Sequence, residues 1–332
     1  MGDQELPGVL VSGYEGPHGV CKDHVGDLRK HFRLITMKEF LENKAQLSPK
    51  IQAVYIWGGK PVVDQELLQN LPSLKVIANG GVGVDHLNLP LIASFGVKVA
   101  NTPHAVSSPT ADLGMALLLA AARRVVEGCQ LALAPETKSF SINWMGQGLT
   151  GATLGIIGMG TIGYKIAQRA KAFEMKILYH NRNRRTPEEE EAVGATYCEK
   201  LEELLPQSDF VMLALSLTPQ TQGLIGRREL ALMKPTAVLV NVGRGLLVDH
   251  EALVEALQTG VIHAAALDVT HPEPLPRDHP LLTLKNIILT PHIGSATHQA
   301  RRQMMEDLVE SMLAALRGLA IPNEVLPPLS HA

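Results

Sequence analysis

The chain has 332 residues, of which 45% are hydrophobic and 19% charged, and it carries a formal net charge of -3. That composition excludes a disordered or fibrous protein and leaves room for two globular domains, each with its own core. The acidic balance argues against a nucleic-acid surface, which needs a basic face, and the longest apolar run, Leu113 to Ala122, is too short to cross a bilayer.

The opening Met1-Gly2-Asp3-Gln4-Glu5 lacks the basic and then apolar regions of a secretory signal, so a cytoplasmic address is expected. Short β-rich runs then alternate with helical stretches, the pattern of parallel sheets with crossover helices. A first block of strands is expected at Val9-Leu10-Val11, Phe32 to Ile35, Ala53 to Ile56, Leu74 to Ile77 and Val97 to Val99. Next comes a helix over Pro109 to Gly128, with Leu113, Ala116, Leu117, Ala120 and Ala121 on one face. A second block is expected at Thr153 to Ile157, Lys176 to His180, Phe210 to Ala214, Ala237 to Asn241, Ala264 to Asp268 and Ile287 to Leu289. A last helix, Thr297 to Leu316, and prolines from Pro322 onward suggest a return to the first block. The expected division is therefore 1–102 with 292–332 as one discontinuous domain and 103–291 as the other. Cys21, Cys129 and Cys198 are scattered and odd in number, which fits a reducing compartment and provides no disulfide framework or zinc ribbon. The closing Ser330-His331-Ala332 is not a convincing peroxisomal tripeptide.

The most specific local signal is Thr153-Leu154-Gly155-Ile156-Ile157-Gly158-Met159-Gly160-Thr161-Ile162-Gly163, a strand entering Gly-x-Gly-x-x-Gly and then a helix expected over Tyr164 to Phe173. In such a dinucleotide cradle Gly158 permits the tight turn, Gly160 lets backbone approach a pyrophosphate, and Gly163 lets helix and strand pack closely. The pyrophosphate then meets free amides at the positive end of the helix. After the second strand an acid normally accepts from the adenosine ribose 2′-hydroxyl, but here the chain reads Asn181-Arg182-Asn183-Arg184-Arg185. Guanidinium groups favour a 2′-phosphate that a carboxylate would repel, so NADPH is expected in preference to NADH. The competing reading is a solvated basic run balanced by Glu188 to Glu191.

Three polar residues stand at successive strand ends: Arg244 in Asn241-Val242-Gly243-Arg244-Gly245, Glu273 in Pro272-Glu273-Pro274, and His292 after Pro291. Ligands bind outside the carboxyl ends of strands in open α/β sheets, so these residues are expected to share one crevice. Their chemistry suits reduction of a 2-keto acid. Arg244 can hold the carboxylate and keto oxygen with its planar fork, His292 can donate a proton to that oxygen, and Glu273 can orient the imidazole and favour its protonated form. His271 and His279 raise the idea of a metal site, but the intervening prolines argue against it.

On these residues, together with Val82-Gly83-Val84-Asp85-His86, Thr110-Ala111-Asp112-Leu113, Ser216-Leu217-Thr218-Pro219, Leu267-Asp268-Val269 and Pro291-His292-Ile293-Gly294-Ser295, the sequence resembles the D-isomer-specific 2-hydroxyacid dehydrogenase family, most of all its glyoxylate/hydroxypyruvate reductases. The resemblance implies an α/β fold of two doubly wound parallel-sheet domains, Rossmann-like and flavodoxin-like, with the active site in the cleft between them, and a homodimer. It implies Arg244, Glu273 and His292 as the catalytic set, with His292 the proton donor, and the Val82 and Gly83 amides together with Arg244 as substrate binders. It also implies that Gly158, Gly160, Thr161, Ile162, Ser216, Val242, Asp268 and Gly294 line the NADP site, beside Arg182, Asn183, Arg184 and Arg185.

Trp144 lies where related reductases carry a tryptophan-rich loop that a neighbouring subunit can bring to the substrate, but the two loops do not align residue for residue. Glyoxylate, hydroxypyruvate and a larger sugar acid such as 2-ketogluconate therefore remain open as substrates. A different class, a dinucleotide-sensing transcriptional corepressor, shares the Arg-Glu-His set. Its usual extended tail is missing here, and the basic run suits a reductase better than an NADH sensor.

Overall fold

A computed structural model describes residues 5–327; the N-terminal residues before Glu5 and the terminal Ser330-His331-Ala332 lie outside the described part. The chain divides into two compact units, one ending at Val106 and resuming at Ala296, the other running from Ser107 to Ser295. These limits differ by a few residues from the sequence boundaries, and they group His292 with the second unit.

The first unit contains β1 (Gly8–Val11), β2 (Arg33–Thr36), β3 (Ile51–Trp57), β4 (Val76–Gly80) and β5 (Lys98–Ala100), all parallel, in the order β2-β1-β3-β4-β5. Side chains alternate between its faces. Leu10, Val54, Ile56, Ile77 and Val99 build one core, while Val9, Val11, Ala53, Tyr55 and Val76 build the other with Met305, Leu308 and Met312 of the helix His298–Leu316. That helix is started by Thr297, whose hydroxyl accepts from the Ala300 amide.

The second unit contains β6 (Thr153–Ile157), β7 (Lys176–His180), β8 (Ala195–Tyr197), β9 (Phe210–Leu213), β10 (Val238–Asn241), β11 (Ala264–Leu267) and β12 (Ile287–Leu289) in one parallel sheet ordered β12-β11-β10-β9-β6-β7-β8. The strand order reverses between β6 and β9, so the crevice at their carboxyl ends is the expected ligand position. Both faces are covered: Leu154, Ile156, Phe210, Met212 and Val240 point to one core, and Ile157, Val211, Leu213, Leu239 and Leu267 to the other. No helix among the described residues is long and apolar enough to cross a membrane.

Three expectations need correction. The strand β8 was not anticipated, because three residues carry almost no periodic signal and its pairing with β7 defines it. The helix expected over Pro109 to Gly128 is Ser107–Ala122 followed by a separate Val125–Leu133. Arg124 interrupts it in the left-handed region at φ 53°, its guanidinium held by Glu127 and the Met145 carbonyl and lying 3.8 Å above the Trp144 ring. The buried stripe of Ser107–Ala122 only partly matches the expected one: Leu117 and Ala121 are buried but Ala116 is exposed, while Ala111, Gly114, Met115, Leu118 and Ala122 are buried as well.

Candidate active site

The glycine turn after β6 is built by close packing. Gly158 has φ 93°, and a Cβ there would lie 2.5 Å from Leu215; a Cβ on Gly163 would lie 2.2 Å from the Gly158 carbonyl oxygen. Both glycines are therefore required by the protein itself. Gly160 is different: a Cβ there would meet nothing within 4 Å, so what its hydrogen preserves is open approach to the backbone. The helix begins at Thr161, earlier than expected, and the Gly160, Thr161 and Ile162 amides have no acceptor among the described residues. Free amides at the start of a 12-residue helix, beside a glycine that internal packing does not demand, fit a dinucleotide pyrophosphate.

The basic segment after β7 is mostly committed to structure. The Met159 amide donates to Asn181 Oδ1 (2.6 Å), and Arg185 Nε donates to the Met159 carbonyl (2.7 Å), so this segment clamps the glycine turn. Arg185 also pairs with Glu189. Arg184 makes a two-pronged contact with Glu190 at 2.8 Å on each oxygen, and Tyr179 donates to the same carboxylate at 2.6 Å. The Arg184 fork holds the Glu190 carboxyl down at about 2, the Tyr179 hydroxyl adding to that effect. Arg182 is exposed and makes no hydrogen bond or ion pair among the described residues, and Asn183 is likewise exposed. Of the three arginines in the run, Arg182 is thus the one with no hydrogen bond or ion pair among the described residues. The pairing with Glu189 and Glu190 matches the competing reading for Arg184 and Arg185, although Arg184 remains well exposed.

Arg244, Glu273 and His292 follow three strands of the same sheet, β10, β11 and β12. After β10, Asn241 accepts from the Gly243 amide and donates to the Arg244 carbonyl, both at 2.9 Å, which sets the turn bearing Arg244. After β11, Glu273 Oε1 accepts from the Thr270 amide at 3.0 Å. Its Oε2 lies 2.9 Å from His292 Nδ1. Burial alone would raise the Glu273 carboxyl, but the His292 hydrogen bond and charge, the Thr270 amide and the Arg244 charge outweigh it and hold the group below its usual range. An ionised Glu273 can only accept, so Nδ1 carries the hydrogen in this contact, and Nε2 makes no hydrogen bond among the described residues.

Asp268, expected only to line the cofactor, has a structural task that the sequence did not disclose. It is 2% exposed, and its oxygens accept from Thr290 Oγ1 (2.7 Å) and the amides of Ile293 (2.8 Å) and Gly294 (2.9 Å), while its carbonyl accepts from the His292 amide (2.8 Å). These bonds hold His292 in the left-handed region at φ 55°. Burial raises the Asp268 carboxyl despite them. Gly294 is tightly surrounded, with Thr110 3.1 Å from its notional Cβ. Ser216 is exposed after β9 and Val242 is buried after β10.

Val82 and Gly83 lie in the first unit, just beyond β4. The Gly81, Val82 and Gly83 carbonyls accept from the Thr102 amide and from the Asn101 and Asn79 side chains, and the Val82 and Gly83 amides have no acceptor among the described residues. Carbonyls tied back and amides left open are the features an anion nest requires. Asn79 and Asn101 were not foreseen; an Asn at the end of each of two neighbouring strands was the available signal.

Residues 115–294 match the sequence model of the D-isomer specific 2-hydroxyacid dehydrogenase, NAD binding domain. A glyoxylate reductase of Thermococcus litoralis is 47% identical over 268 residues, covering 79% of this chain and 80% of the relative. A glyoxylate/hydroxypyruvate reductase B of an Enterobacter species is 44% identical over 304 residues, covering 90% and 93%. Among solved structures, the NADPH-dependent glyoxylate/hydroxypyruvate reductase of Sinorhizobium meliloti in complex with NADP and malonate is similar at TM-score 0.85 and 30% identity, covering 96% of each chain.

Proposed function

The chain belongs to the D-isomer-specific 2-hydroxyacid dehydrogenase family, and from that footing we propose that it reduces hydroxypyruvate or glyoxylate to D-glycerate or glycolate, with NADPH as the preferred reductant. As a member it is an oxidoreductase with an NAD(P)-binding domain; substrate, cofactor preference and residue roles are our assignments. The observation that carries them is the 2.9 Å contact between His292 Nδ1 and Glu273 Oε2, with the Arg244 charge acting on the same carboxylate.

The nicotinamide, when bound, supplies hydride to the keto carbon. His292 Nε2 gives its proton to the keto oxygen as the carbon is reduced, and Glu273 keeps Nδ1 protonated and stabilises the charged imidazolium. Arg244 polarises the keto oxygen and holds the carboxylate with its fork, and the Val82 and Gly83 amides are assigned to the carboxylate. The first-turn amides at Gly160, Thr161 and Ile162 receive the pyrophosphate, Gly158 shapes the turn, and Ser216, Val242, Asp268 and Gly294 complete the lining. Arg182 and Asn183, with the exposed side of Arg184 and with Arg185 as support, receive the 2′-phosphate. A homodimer is our further assignment, supported by the exposed Leu133, Phe140, Ile142 and Met145, which lie close together in the sequence.

The test is oxidation of NADPH and NADH with glyoxylate, hydroxypyruvate and 2-ketogluconate. We expect turnover of the first two with higher kcat/KM for NADPH. No turnover of any keto acid would end the proposal, and faster use of 2-ketogluconate would reassign the substrate.

A further inference from the structure

The helix His298–Leu316 carries, in its first turn, a cation whose surroundings are incomplete. Arg301 is half-buried and has no hydrogen bond or ion pair among the described residues. Its guanidinium carbon lies 4.7 Å from the Trp57 ring centroid. Arg302 beside it reaches Asp27 and Glu306, but neither acid pairs with Arg301. Burial lowers the Arg301 guanidinium from its ordinary value, and the groups acting against that are the weak acids Tyr55 and Cys21. An aromatic face compensates part of the desolvation of a guanidinium, but it leaves the planar donors unused.

Trp57 connects this cation to the anion nest. It is the last residue of β3 and pairs in register with Gly80, the last residue of β4. A Cβ on Gly80 would lie 2.5 Å from the Trp57 indole, so the ring abuts the strand end that leads directly into Gly81-Val82-Gly83. Gly58 and Gly59, both at positive φ, follow Trp57 and bring no side chains to this edge. At the neighbouring end of β1, the Ser12 hydroxyl is buried without a partner among the described residues. One end of the first sheet thus presents open amides just beyond β4, an indole packed at Gly80 where that strand ends, and on that indole a guanidinium with no hydrogen bond or ion pair among the described residues.

We propose that Arg301 is a specificity-determining residue that binds a second acidic group at the far end of a 2-keto acid whose own carboxylate occupies the Val82–Gly83 nest. This deepens the function proposed above and rests on its assignment of that nest. A carboxylate or a phosphate supplies the same chemistry, an anionic acceptor matching the guanidinium fork. Trp57 is the positioning residue, since its ring lies under the Arg301 guanidinium and packs at Gly80, the strand end that leads into Val82 and Gly83.

The test compares substrates that differ at that end alone: oxaloacetate with 2-oxobutyrate for a carboxylate, and phosphohydroxypyruvate with hydroxypyruvate for a phosphate. The wild-type kcat/KM ratio is expected to favour at least one acidic member by tenfold or more. Arg301→Met should collapse that ratio toward unity, and Arg301→Lys should restore part of it. A wild-type ratio near or below unity for both pairs, or a ratio unchanged in Arg301→Met, would overturn the proposal; turnover of glyoxylate would still uphold the reductase reading. A second measurement needs neither turnover nor a change at Arg301. In Trp144→Phe, Trp57 is the sole tryptophan of the two in the chain, and its emission should change saturably with succinate but not with butyrate. An identical response to both ligands, or to neither, would count against Arg301 as an anion binder.

Discussion

Removing the imidazole at position 292 takes away the proton donor proposed above and leaves the glycine turn untouched, so His292→Ala should lower kcat by about 100-fold or more while NADPH affinity persists. Single-turnover kinetics with a fluorescence titration of cofactor separates the two effects. Glu273 is held below its usual range. A carboxyl depressed on folding stabilises the native state above its unfolded value, near 4.3, and loses that contribution as pH falls through the lower folded value. The Glu273–His292 pair should therefore survive to a pH below about 4.3, and Glu273→Gln should erase that acid-side dependence in a pH–stability series as well as slowing turnover. Asp268 permits a sharper expectation. Asp268→Asn keeps the volume but turns a donor toward the Ile293 or Gly294 amide, displacing His292, at a cost of about 1–3 kcal/mol for a buried group left unpaired. Turnover should fall and thermal stability with it; loss of cofactor affinity alone would show that Asp268 acts on the ligand and not on the loop. That Arg244, Glu273 and His292 follow successive strands was legible in the residue order. The role of Asp268 was not, because an acid after a buried strand does not disclose which amides it will face.

At the scale of the element, the glycine turn separates two kinds of glycine that look alike in the sequence. Gly163→Ala would drive a methyl group against the Gly158 carbonyl, and overpacking of this kind costs about 1–3 kcal/mol, so a lowered melting temperature is expected with or without cofactor. Gly160→Ala meets no protein atom and should fold normally yet bind NADPH about tenfold or more weakly. Equal melting temperatures for the two apo variants would contradict this division. The helix interruption at Arg124 and the strand β8 were invisible to periodicity. The first rests on a guanidinium held by Glu127, the Met145 carbonyl and the Trp144 ring, the second on pairing with β7. Both are decided by partners that local pattern does not include.

For the whole molecule, cofactor binding and stability are linked. A ligand that binds only the folded chain raises stability by about 2.7 kcal/mol at one hundred times its dissociation constant. NADPH should therefore raise the melting temperature more than NADH at equal concentration, and Arg182→Ala should remove most of that difference. An exposed arginine reading a phosphate is also screened by salt, so the NADPH advantage should shrink as ionic strength rises. An NADPH shift that Arg182→Ala leaves intact would assign the phosphate to Arg184 or to another group.

By itself, the order of residues determined two parallel-sheet units, the position of the dinucleotide turn, and which guanidinium, carboxylate and imidazole stand at neighbouring strand ends. These follow from periodicity and from glycine chemistry, both of which act over a few positions. Tertiary structure alone decided which charges are already satisfied. Among the described residues, Arg184 and Arg185 have acids beside them while Arg182 has none, Asp268 is committed to the His292 loop, and Arg301 lies on Trp57 without a counter-ion. The reason is physical: a charge is neutralised by what lies within a few ångströms of it, and for a group such as Arg301 the folded chain brings its neighbours from distant parts of the sequence.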